Sequence, residues 1–86
     1  MTEQIETVRQ TLDVSRDYLR FARTDAMADA RARLDRALEK SIRYYTSPEA
    51  GRGWTTARVV SKTVRHRYSP VSCLVSFRLV AQVAFS

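Results

Sequence analysis

Cysteine, histidine and tryptophan each occur once in these 86 residues, and glycine and proline only twice each. Each shortage removes a class of answer. With Cys73 alone, no disulfide can close within the chain. Cys73 and the lone His66 also fall short of the four N or S ligands a structural zinc takes, so no metal is expected. The two glycines flank Arg52 in "GRG", which is too short for a phosphate-binding loop and lacks the Gly-Lys-Ser/Thr ending. The most apolar stretch, "VSCLVSFRLVAQVAFS", has sixteen residues with Arg78 near its centre, so no membrane span is expected. The polar, acidic start "MTEQIETVRQ" resembles no signal peptide, and a reducing, cytoplasmic setting follows as the expectation.

The missing acids are the most informative absence. Residues 1–50 hold nine acids and nine Lys/Arg, which cancel. Residues 51–86 hold Arg52, Arg58, Lys62, Arg65, Arg67 and Arg78 and no acid, so the whole net charge of +6 belongs there. Catalysis needs a base or nucleophile with an orienting partner. No acid in that half can orient His66, and Cys73 reads as a small core residue. Neither an enzyme nor a cofactor is expected.

What is present divides the chain at "TSPEAGRG" (46–53), which contains both glycines and one proline. The forty-five residues before it have neither, and read as helix. Ile5, Val8, Leu12, Ser15, Leu19 and Ala22 step by three and four; Met27, Ala30, Leu34, Ala37, Ser41 and Tyr44 repeat the stripe. The longer hop between them fits two arrangements. A tight turn at "RTDA", with Thr24 or Asp25 as N-cap, gives a helical hairpin. One long helix through a skip residue, paired with another chain, is the alternative. The hairpin is preferred, because helices must pack on something. Asp29 with Arg33, Arg31 with Asp35, and Glu39 with Arg43 are spaced for ion pairs along a wet face. Tyr18, Phe21, Tyr44 and Tyr45 read as caps on the core.

After Gly53 the period changes to two. A β-branched run through Val59, Val60, Thr63 and Val64 leads to "YSPV". From Val71 every second residue to Phe85 is apolar or small. The pattern predicts a β-hairpin, roughly 54–67 with 71–85, with a helix as the competing reading of the second run. The expected fold class is α+β: residues 1–46 helical, 47–53 a linker, 54–86 a basic antiparallel β-hairpin under the helices. A core this small, in a chain that buries roughly 60–65% of its unfolded surface, points to a homodimer.

Register decides what the basic run "RVVSKTVRHRY" faces, since a slip of one residue turns every side chain over. A two-residue turn at Ser69-Pro70 puts Arg58 and Lys62 on the apolar face with no acid in reach, which is costly. A three-residue loop over 68–70 sets Val59 against Leu79, Ser61 against Phe77 and Thr63 against Val75. That register is preferred. It places Trp54, Arg58, Lys62 and His66 on the outer face beside Arg78, with Arg65 and Arg67 near the turn and Arg52 in the linker. These residues form the expected binding surface for nucleic acid or an acidic protein partner. The expected function is nucleic-acid binding without strong sequence preference. The alternative is a small inhibitor or adaptor, of the kind phages and mobile elements encode, docking on a larger machine. A plain solvated face, with cations that discourage edge pairing, is the reading without function.

Overall fold

A computed structural model of the chain describes residues 3–21 and 23–86, with side chains for all of these except residues 21, 23 and 24. The architecture is α+β, one long helix on a three-stranded antiparallel sheet. Strand β1 (Gln4–Ser15) leads into a short helix α1 (Arg16–Phe21) and the long helix α2 (Arg23–Tyr45). A 3-10 turn at Pro48–Ala50 precedes strands β2 (Ala57–Ser69) and β3 (Leu74–Phe85). The sheet order is β1-β3-β2.

The central strand explains the core. Because β3 is paired on both sides, its alternate residues Val75, Phe77, Leu79, Ala81, Val83 and Phe85 are buried. Helix α2 lays Ala26, Ala30, Leu34 and Leu38 on them, one residue per turn. The alanines let the helix approach closely. Full burial of Leu34 or Phe77 contributes about 1.5–3 kcal/mol each. At about 1.5 Å per residue α2 runs some 34 Å, close to the length of the strands it covers. Its end is closed by side chains: Thr46 Oγ1 donates to the Ile42 carbonyl at 3.0 Å, and Ser47 Oγ to that of Tyr44 at 2.6 Å. The chain then reverses through Gly51, whose φ of 68° is left-handed and whose N–H reaches the Pro48 carbonyl. No helix among the described residues is long and apolar enough to cross a membrane.

Four expectations are corrected. Residues 4–15, expected as the first helix, form strand β1, paired along its whole length with β3. Their three-and-four spacing is real, but Val8, Leu12 and Val14 also alternate, and the free edge of β3 takes them as a partner. Asp25 lies inside the first turn of α2, where its charge suits the helix dipole, and not at its N-cap. Ala22 and the side chains of Phe21 and Thr24, which the expected turn involved, lie outside the described residues. Tyr45, not Tyr44, turns inward: its ring meets Phe85 edge-on at 5.8 Å, while Tyr44 and Tyr18 are more than half exposed. Cys73 is exposed in the hairpin loop with φ 55°, because β3 begins only at Leu74.

Candidate functional site

A β-bulge sorts the cations of β2. Arg58 lies opposite Ala84 and Val59 opposite Val83; the ladder then skips Val60 and resumes with Ser61 opposite Gln82. One extra residue reverses the facing of everything after it. Before the bulge the even position Arg58 points away from α2; after it the odd positions Ser61, Thr63, Arg65 and Arg67 do so. A four-residue loop (70–73) closes the hairpin, with Ser69 opposite Leu74. Both sequence-derived registers assumed an unbroken ladder and a shorter turn, and both are wrong.

The helix-free face can be read as rows across three strands. Arg9, Val80 and Thr63 make one row; Thr11, Arg78 and Arg65 the next; Asp13, Ser76 and Arg67 the third. Ile5, Ala84 and Arg58 lie at the far end. Arg65 and Arg78 are therefore a like-charge pair set directly opposite each other, an arrangement that costs a few tenths to about 1 kcal/mol. Thr11, Asp13, Arg65, Arg67, Ser76 and Arg78 line an open groove at the hairpin end of this face. Asp13 is engaged by the Ser76 hydroxyl, which donates to it at 2.6 Å. Arg58 is paired with Glu3 at 3.2 Å across the sheet. Among the described residues Arg9, Arg65, Arg67 and Arg78 make no ion pair, and all four are exposed. Among the described residues the strand pairing puts no aromatic side chain in these rows, although His66, Tyr68 and Phe77 also line the groove.

The other expected site residues lie elsewhere. Lys62 and His66 face the helix side, because the bulge changes their parity. Lys62 Nζ meets the Asp35 carboxylate of α2 at 2.7 Å, so the acid missing from residues 51–86 is supplied by the helix. Asp35 thereby has a partner other than Arg31, while Asp29–Arg33 and Glu39–Arg43 form as spaced, at 2.9 and 3.7 Å. The His66 ring sits 5.8 Å from that of Phe77. Trp54 stacks on Phe85 at 4.5 Å and is half-buried at the opposite end of the core. The Arg52 guanidinium lies 5.4 Å from the Trp54 ring centre and 5.8 Å from that of Tyr45, a cation–π arrangement that shields the core edge. Of the eight expected residues, Arg65, Arg67 and Arg78 are brought together, and His66 also lines their groove; Arg58 shares the face only at its far end, and Arg52, Trp54 and Lys62 lie elsewhere.

Arg9 was missed. It lay in the charge-balanced half and in a segment read as helix; the β-branched residues Ile5, Thr7, Val8, Thr11 and Val14 were the signal for a strand. No family model matches the chain, and no curated protein or solved structure matches it either.

Proposed function

We propose that the chain is a non-enzymatic binding module whose helix-free sheet face holds the phosphate backbone of nucleic acid, without strong sequence preference. The observation that carries this reading is the Arg65–Arg78 pair, two arginines directly opposite each other across strands with Arg67 and Arg9 in adjoining rows. Repulsion of that kind is relieved by an anion lying between the groups, and a guanidinium fork suits phosphate. The exposed hydroxyl of Thr11 adds a neutral donor to the same surface, whereas that of Ser76 is taken by Asp13 and that of Thr63 leans on the Val80 carbonyl at 3.5 Å. Of the rings that line the groove, Phe77 is buried, His66 lies against it, and the Arg16 guanidinium stands over Tyr68 at 5.4 Å, which leaves little platform on which to stack single-stranded bases. The reading therefore favours duplex.

The test is binding to a mixed-sequence duplex over a salt series. Four unpaired arginines predict a log–log slope of about −3.6 with duplex. Reversing Arg65 and Arg78 together to glutamate should abolish binding while leaving the circular dichroism spectrum unchanged. Absence of any retardation at low salt ends the proposal. Stoichiometric capture of one acidic protein in place of nucleic acid would support the adaptor alternative.

A further inference from the structure

The two edges of the sheet differ in a way that selects one of them for self-pairing. Strand β2 is 13 residues long, exposed along almost its whole length, broken by the bulge and studded with Arg58, Lys62, Arg65 and Arg67. Cations and a bulge on an edge oppose pairing with another strand. Strand β1 is the contrary case. Its register with β3 is uninterrupted over twelve residues, it contains no Pro, Gly or Lys, and its outer side pairs with nothing among the described residues. The backbone N–H and C=O groups there are a ready template.

We propose that a second copy of this chain pairs antiparallel with β1, with Thr11 on the two-fold axis. The register follows from charge. In a two-fold antiparallel pair one residue faces its own copy, and the others pair symmetrically about it. Centring on Arg9 or on Asp13 opposes two like charges. Centring on Thr11 sets Arg9 opposite the partner's Asp13 and Asp13 opposite the partner's Arg9, two cross-strand ion pairs at once. The same register places Val8 opposite the partner's Val14 on the helix side and Glu6 opposite the partner's Arg16 just beyond. Centring on Gln10 or Leu12 matches neither charge.

The product is one six-stranded sheet, β2-β3-β1 continued by β1-β3-β2 of the second copy. The axis is perpendicular to the sheet, so both helix-free faces lie on the same side. At about 4.8 Å per strand the two β3 strands, each carrying Arg78, stand about 14 Å apart. The arginine groups of the two copies thus belong to one continuous surface, in which the paired Arg9 leaves the phosphate-binding set and each copy contributes Arg65, Arg67 and Arg78.

The experiment is symmetric crosslinking in the full chain with Cys73→Ser. Opposed Cα atoms in an antiparallel pair are about 4.5–5.5 Å apart, within the disulfide range of about 4.4–6.8 Å. Thr11→Cys should give a covalent dimer under mild oxidation, and Thr63→Cys on the other edge strand should not. Sedimentation velocity should show a dimer that Arg9→Asp weakens at least about tenfold, since two pairs turn from attraction to repulsion together. The double exchange Arg9→Asp with Asp13→Arg should restore it, which separates a lost contact from a lost fold. A monomer at about 100 μM, a Thr63→Cys dimer in place of the Thr11→Cys one, or a double exchange that fails to rescue, overturns the proposal. None of these readouts depends on nucleic acid.

Discussion

Replacing Arg65 with glutamate should make the fold more stable and its hold on nucleic acid weaker. Arg65 lies directly opposite Arg78, with Thr11 completing the row. Like charges so placed destabilise by about 0.2–1 kcal/mol, and opposite charges contribute about as much in the other direction. Both side chains are exposed, so solvent screening trims the sum of the two effects to about 1 kcal/mol. For an 86-residue chain that corresponds to a rise of about 4–8 °C in Tm. Thermal unfolding followed by circular dichroism at about 0.1 M and about 1 M NaCl measures it. The gain should shrink at high salt, where the screening length falls from about 10 to about 3 Å. In the same variant one phosphate contact is gone, so the salt slope of duplex binding should flatten by about 0.9 and the affinity near 0.1 M fall roughly tenfold. A lower Tm refutes the reasoning by giving Arg65 a stabilising partner, and unchanged binding refutes it by leaving Arg65 no anion to hold.

Further expectations are independent of this pair. A double-mutant cycle on Lys62→Met and Asp35→Asn should return a coupling of about 0.2–1 kcal/mol in urea unfolding, since both groups are a little under half exposed; zero coupling would remove Lys62 from the helix side. Phe77→Ala, at a site 1% exposed beneath α2, should cost about 3–5 kcal/mol, enough in so small a core to lose cooperative thermal unfolding. Cys73→Gly should raise the urea midpoint, because a φ of 55° strains a residue with a Cβ by about 1–2 kcal/mol while glycine gives back about half of that as entropy; a lower midpoint would place the strain elsewhere.

Some of this molecule was legible in its sequence, for physical reasons that can be named. Helix α2 lacks Gly and Pro and repeats small and apolar residues at helical spacing, so Ala30 and Leu34 were identified as core. Strand β3 alternates so strictly that Val75 to Phe85 could be assigned to one buried face. Strand β1 carried a β-branched signal, but its alternation was masked because its helix-facing positions include Gln4, Glu6 and Gln10. Those polar groups are tolerated at a sheet edge, where Gln10 donates to the Ser41 hydroxyl at 2.7 Å. The register failed on a bulge, which no alternation pattern reveals: "RVVSKTV" reads equally well with Val60 in the ladder or out of it. Lys62 can stand on the apolar side because its acid, Asp35, comes from the helix and not from residues 51–86. The clustering of charge in residues 51–86 was visible; which of those cations share a face was not.

The parity of β2 is the point on which the interface stands, and one comparison examines it directly. Duplex affinity at low salt would be measured for Lys62→Glu, Arg65→Glu, His66→Glu and Arg67→Glu, each checked for folding. The account predicts that binding falls sharply for positions 65 and 67 and stays within about twofold for 62 and 66, after allowing for the change in net charge, two units at 62 and one at 66. Loss at 62 and 66 with 65 and 67 spared would contradict it, by putting the binding surface on the helix side of the strand.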